Sequence, residues 1–407
     1  MTIRETIDRN WAREVEFLKG LVKVPSDNPP GDCAAAAEAA VRELEKLGFT
    51  VERHKVPDAL VRETGMVSAT NLIVRKTFGT GQGPVIALNA HGDVVPPGNG
   101  WTVDPYGAIE RDGALYGRGV AVSKSDFATY AFALLAVEAN SAGLNGGVEL
   151  HFTYDEEAGG EIGPKWLIDE KLTKATLAIS AGFSYAITTA HNGVLHLEVV
   201  VSGKQAHAAM PHTGSDALEA AVSVLAAIYE ERKRLAGIVS REKGIGSPQI
   251  TVGLISGGIN TNVVPDSIAF RIDRRIIPEE NGAEVEAALM KLIEKTLPKT
   301  IGISIAFRRI VLADPLRPLP GVDRLVDLIG RHAREILGVP VLPTGVPLYT
   351  DARHYAAAGI PTVLYGAGPR SILEANAHGA DEHLQLSDLR AATEVIAVTL
   401  SDLLSAI

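Results

Sequence analysis

His91 and Asp93 close one short apolar run, P-V-I-A-L-N-A-H-G-D, and Glu156 and Glu157 close another, V-E-L-H-F-T-Y-D-E-E. A histidine and a carboxylate two residues apart, leaving a strand in one direction, suit metal binding or proton transfer. The carboxylate can support the imidazole through its second ring nitrogen. Taken singly, each group also has a plain structural reading: His91 as a hydrogen-bonded histidine and the two glutamates as solvated loop charge. What favours chemistry is position, because in open α/β sheets ligands bind at the carboxyl ends of the strands.

The elements that must position these groups follow from periodicity and punctuation. Apolar spacing predicts a helix over 2–22, a turn-rich loop over 25–32, and an alanine-rich helix over 33–47 closed by Gly48. Strands are expected at 49–56, 70–75, 85–88 and 148–153, with helices at 127–139 and 165–170. Interspersed helices and strands of this kind argue for a layered α/β sheet. The pattern then changes: strand 194–201, helix 215–234, strands 249–255 and 267–273, helix 282–296 and strand 303–310 spell a β-α-β-β-α-β, ferredoxin-like unit. Helices at 321–337 and 386–406 around a strand at 362–365 resume the first pattern. The expectation is a discontinuous domain, 1–193 with 312–407, carrying an inserted domain over 194–311.

Composition narrows the function classes. A chain of 407 residues, 46% of them hydrophobic, exceeds one ordinary domain. Lys and Arg total 39 against 49 Asp and Glu, a net charge of -10, and no basic block appears, so nucleic acid is not an expected partner. The single cysteine, Cys33, excludes an internal disulfide framework and fits a reducing compartment; in a helix it reads as a small buried residue. No leader-like start and no run of eighteen apolar residues is seen, so a cytoplasmic protein without a membrane span is expected.

Further blocks lie along the chain in a telling order. They are H-G-D-V-V-P, G-R-G, D-E-E, H-N-G, G-K-Q-A-H-A-A-M-P, G-G-I-N-T-N-V-V-P, T-D-A-R and A-H-G-A-D-E-H-L. Together they resemble the metallopeptidase family of acetylornithine deacetylase, succinyl-diaminopimelate desuccinylase, aminoacylase and the glutamate carboxypeptidases, over nearly the whole length. The resemblance implies an α/β catalytic domain with a ferredoxin-like lid that often forms the dimer contact. It also implies a pair of divalent ions, usually zinc, with a free glutamate as general base. Residue by residue, His91, Glu157 and His378 match metal ligands, Asp93 the carboxylate orienting His91, and Glu156 the base. In the lid, His207 resembles a histidine that reaches a neighbouring subunit's site to stabilise an oxyanion, while Asn262 and Arg275 resemble groups holding a substrate carboxylate. Gly366 and Gly368, in Y-G-A-G, permit close backbone approach to a ligand.

Two ligands of that pattern are missing. Val122 stands where G-R-G-x-x-D-M-K-G has its bridging aspartate, and Ala181 where a terminal carboxylate is expected. Without those charges one ion is expected rather than two, zinc foremost, with manganese or cobalt as alternatives. Either Glu157 and His378 hold it together, or His91, Glu157 and His378 converge on it. Ser125 and Asp126, just beyond Val122, read as helix caps, Arg118 as part of a turn, and Arg275 on composition alone as one half of a surface ion pair. Two functions follow: a metal-dependent hydrolase of a carbon–nitrogen bond in a small carboxylate-bearing substrate, or a ligand-binding relative that has lost the two-metal centre.

Overall fold

Four apolar runs too short for helices make the middle of the main sheet, and their shared direction sets where the chemistry stands. In the computed structural model, which describes residues 2–405, the chain begins with α1 (Ile3–Val22), α2 (Ala34–Lys46), β1 (Val51–Lys55), α3 (Asp58–Glu63), β2 (Thr70–Phe78) and β3 (Val85–His91). There follow β4 (Ile109–Arg111), β5 (Ala114–Tyr116), α4 (Lys124–Glu138), β6 (Gly146–Thr153), α5 (Pro164–Asp169), β7 (Leu177–Ser180) and β8 (Ala186–His191). The middle of the chain is β9 (Gly193–Ser202), α6 (Ala217–Leu235), β10 (Gln249–Gly257), β11 (Ser267–Ile276), α7 (Gly282–Thr296) and β12 (Ser304–Ala313). It ends with α8 (Val322–Leu337), β13 (Leu342–Val346), α9 (Ala352–Ala357), β14 (Thr362–Leu364), β15 (His383–Gln385) and α10 (Leu386–Leu404). Ala406, the end expected for the last helix, lies outside the described residues.

Contacts divide the chain into two units: one takes the chain up to Thr189, Pro318–Thr344 and everything from Thr350, the other Ala190–Arg317 with Gly345–Tyr349. The first holds an eight-stranded mixed sheet in the order β1-β2-β6-β3-β7-β14-β8-β13. Strands β6, β3, β7 and β14 run parallel, with His91 beside Thr153, Asn89 beside Ser180 and Leu364 beside Ser180. Their carboxyl ends therefore open on one side of the sheet, where His91, Glu156, Ala181 and Gly366 follow in neighbouring strands. Strand β6 is buried along its whole length, and β3 in all but its first residue, as parallel strands covered on both faces are.

The helices explain that burial. Helix α4 is apolar on every face and buried at nearly every position, because α1 and α10 pack on it. It starts at Lys124, three residues before the periodicity indicated. Helix α1 is opened by a Thr2–Glu5 capping box, the threonine side chain accepting from Glu5 and the glutamate from the Thr2 N–H. A small sheet, β15-β5-β4, clips the segment before α10 to the G-R-G segment.

The second unit is a four-stranded antiparallel sheet, β10-β11-β9-β12, carrying α6 and α7. Its β-α-β-β-α-β order with the first and third strands adjacent is the ferredoxin-like topology. Alternating Leu195, Leu197, Val199 and Val201 of β9 bury one face against Ala220, Val224 and Ile228 of α6. No helix among the described residues is long and apolar enough to cross a membrane.

Candidate metal centre

At the end of β3, His91 turns its Nδ1 toward Asp93, 3.0 Å from the backbone oxygen and 3.3 Å from Oδ1. Nδ1 therefore carries a hydrogen, and Nε2 faces Glu156 Oε2 at 4.0 Å. Asp93 is fully buried. Its carboxylate accepts Asn28 Nδ2 (2.9 Å) and the backbone N–H groups of Glu156 (3.2 Å) and Glu157 (3.1 Å). One carboxylate thus fixes the histidine ring and the turn bearing both glutamates.

Glu157 reaches the last histidine, its Oε1 lying 3.3 Å from His378 Nε2. That oxygen is buried and receives no well-directed hydrogen bond, so a lone pair is left for a cation. Among the described residues, the group whose ligand atoms all lie within 4.8 Å of one another is His91, Glu156 and Glu157. His378 adjoins this group through Glu157.

Crowding carboxylates against imidazoles shifts the proton affinity of each. Burial pushes the Glu156 carboxyl up to about 8, helped by the neighbouring Glu157 and Asp93 charges and opposed by His91. Burial works against a charged His91, yet Glu156, Asp93 and Glu157 outweigh it and hold the imidazole well above its usual range. His378 is raised as well, first by its close contact with Glu157. The cluster gathers carboxylate and imidazole donors at one place, the groups that a divalent ion takes as ligands.

Val122 and Ala181 stand at the same end of the sheet without a donor to offer. Ala181, directly after β7, is half-buried against the main core, and its N–H is spent on the Asn89 carbonyl at 2.8 Å. Half-buried Val122 gives its N–H to Glu382 Oε1 at 3.3 Å. Neither position therefore offers a side-chain ligand to an ion.

The cap reading of Asp126 is corrected. Ser123 precedes the helix and makes no side-chain cap bond. Asp126, in the first turn, is buried and points away from the helix end: Oδ1 accepts the Ala367 N–H at 2.7 Å, and the Gly182 N–H also donates to it. Burial pushes this carboxyl up to about 7. A Cβ at Gly366 would overlap Asp126 Oδ1, and one at Gly368 would overlap the Gly182 carbonyl. At both positions the close approach that requires glycine is to the protein itself.

Several groups carried no role in the sequence and gain one from the fold. Asp351, in the T-D-A-R block, is buried beside Thr153, whose Oγ1 donates to it at 3.4 Å. Burial and then Glu156 push its carboxyl up to about 8. Arg118 is no simple turn residue: with Glu382 it forms a buried ion pair at 2.6 Å. Both Asp351 and Glu382 lie within blocks named above, and only their blocks, not the residues, were a signal.

The lid candidates lie in the second unit. His207 is exposed, its Nδ1 accepting the Ala209 N–H at 3.1 Å, and Asn262 runs alongside, its carbonyl accepting the Ala208 N–H at 3.0 Å. Arg275, on β11, pairs through Nε with Asp273 at 2.9 Å.

A mixed sheet with its charged groups at the carboxyl ends of adjacent parallel strands, together with a ferredoxin-like second unit, defines a two-unit α/β class of fold. Residues 87–402 match Peptidase family M20/M25/M40, and the chain belongs to it. It is 30% identical over 361 residues to an acetylornithine deacetylase of Myxococcus xanthus, spanning 87% of this chain and 88% of that one. With a succinyl-diaminopimelate desuccinylase of Acidiphilium cryptum it shares 28% identity over 402 residues, 94% of this chain and 96% of that one. Its fold resembles that of a dinuclear metal-binding peptidase of the M20 family from Bacillus subtilis, with a TM-score of 0.71 at 17% identity, covering 98% and 100% of the two chains.

Proposed function

We propose that this protein hydrolyses an amide-type carbon–nitrogen bond in a small carboxylate-bearing substrate, an N-acyl amino acid or a dipeptide, using one divalent ion. The observation that carries this is the placement of Glu156. Its carboxyl stands with His91 and Glu157, the ligand atoms of all three lying within 4.8 Å of one another, where it can take a proton from a water held beside them. The relatives point the same way, one named for removing a succinyl group and the other for removing an acetyl group.

His91, Glu157 and His378 would hold the ion, with zinc the best match to two imidazoles and a carboxylate, and manganese or cobalt as substitutes. When bound, the ion polarises the scissile carbonyl and makes a water molecule more acidic. Glu156 takes the proton of the attacking water and passes it to the departing nitrogen. Asp93 keeps His91 in the tautomer that leaves Nε2 free. In the second unit, His207 uses Nδ1 as an acceptor, so its Nε2–H is a donor suited to an oxyanion. Arg275 engages Asp273 through Nε only, leaving its outer nitrogens, with Asn262, for a substrate carboxylate.

His207 serving a neighbouring subunit needs a homodimer. Support comes from β10, an edge strand with Leu254 60% and Ile255 56% exposed, and from α6, whose outer face exposes Leu218, Val222 and Tyr229. An open apolar edge of this kind is a natural surface for a second copy.

A second reading rests on Val122 and Ala181: a relative that binds a carboxylate ligand without hydrolysing it. A screen of N-acyl amino acids and dipeptides, with zinc, manganese or cobalt supplied in turn, separates the two. Metal-dependent turnover abolished by Glu156→Gln is the expected result. No turnover with any metal, or turnover indifferent to Glu156→Gln, sinks the hydrolase reading.

A further inference from the structure

Glu382 is fully buried and its carboxylate is saturated with donors. Oε1 accepts the N–H groups of Gly119 (3.1 Å), Ala121 (2.9 Å) and Val122 (3.3 Å), and Oε2 accepts Arg118 Nη1 (2.6 Å). Arg118, itself 1% exposed, directs Nη2 to three carbonyls: Pro97 (3.2 Å), His378 (3.4 Å) and Gly379 (3.0 Å). The Trp101 ring covers the guanidinium, with its centroid 5.2 Å away. Segments far apart in sequence thus meet on one ion pair. Only a planar fork can serve a carboxylate on one side and several carbonyls on the other.

His378 is the residue in need of this support. It lies between β14 and β15 in a stretch without helix or strand, its side chain is 51% exposed, and its backbone sits at φ +64. That left-handed conformation is uncommon for a residue with a Cβ and holds only where the surroundings impose it. The bond from Arg118 falls on the carbonyl of His378 itself, and the next on Gly379. The imidazole is therefore presented to Glu157 by a backbone that Arg118 clamps and Glu382 anchors.

We propose that Arg118 and Glu382 are positioning residues for the metal site, acting through His378. The inference rests on His378 being a ligand of the ion proposed above. Metal centres commonly depend on such outer partners, whose loss weakens binding by about 10–100-fold.

The test is zinc affinity of the full-length protein by competition with a chromophoric chelator, with thermal melts alongside. Arg118→Lys keeps the buried charge but cannot reach all the carbonyls, and Glu382→Gln removes the anchor. Each should weaken zinc binding by about 10–100-fold. In a His378→Ala background the same changes should add less than about threefold, because partners acting through one group are not additive. Arg118→Lys decides the matter if Glu382→Gln does not fold. A folded Arg118→Lys protein that binds zinc like the native one, while His378→Ala weakens binding, overturns this inference and leaves the ligand reading intact. An equal loss from Arg118→Lys with and without His378 overturns it too. Native affinity in His378→Ala removes the ligand reading itself and this inference with it.

Discussion

Glu14 offers a test of the fold that is independent of any metal. It lies on α1 with its side chain against α10, fully buried, where Thr393 Oγ1 donates to its Oε1 and Oε2 has no partner. Burial raises this carboxyl from 4.5 to about 8, against smaller opposing effects of Thr393 and Arg390. Between those two values the folded protein holds the proton and the unfolded chain does not, so stability falls as pH rises and stays reduced above about 8. A rise of that size corresponds to about 5 kcal/mol as a ceiling. Glutamine keeps the acceptor for Thr393 and cannot ionise. Glu14→Gln should match the native protein near pH 4.5 and exceed it at pH 8.5 by roughly 3–5 kcal/mol. Guanidinium unfolding midpoints at the two pH values read the difference directly. Equal midpoints for both proteins at pH 8.5, or a less stable variant there, would refute the burial argument and with it the packing of α1 on α10.

Two further outcomes follow from the site and the surface. Val122→Asp combined with Ala181→Glu returns carboxylates to the carboxyl end of the sheet, and elemental analysis after zinc saturation should show metal content moving toward two ions per chain; unchanged content would mean that these are not the positions of the missing ligands. Leu254→Lys places a charge on the exposed edge strand β10 and should convert the proposed dimer to a monomer by light scattering, whereas an unaltered mass would remove that edge from the contact.

Much of this architecture could be read from the sequence because the signals are local. The runs ending at His91 and at Thr153 are continuous, apolar and bounded by turn residues, and both became central strands. The inserted unit was visible because its strands alternate and its helices are long. Elements decided by neighbours were not legible. Strand β7 is four residues long and exists because β3 and β14 flank it; β4, β5 and β15, three residues each, have no period at all.

The same distinction governs the site. His91, Asp93, Glu156 and Glu157 lie close in the chain to the strands that carry them, so their convergence followed from strand direction. Asp126 was misread because an aspartate near a helix start looks like a cap, whereas its true partners, Gly182 and Ala367, are remote in sequence. Glu382 and Arg118 are 264 residues apart, and no local pattern announces that they pair. The glycines at 366 and 368 were expected to let a ligand approach the backbone; the close neighbours that the fold gives them are Asp126 and Gly182.

The central proposal is that this family member holds a single ion with His91, Glu157 and His378, Val122 and Ala181 having no carboxylate to offer a second. Counting zinc in the saturated, desalted protein by elemental analysis tests it most directly. One ion per chain, lost in Glu157→Gln, is the predicted result; two ions per chain, or none, would contradict it.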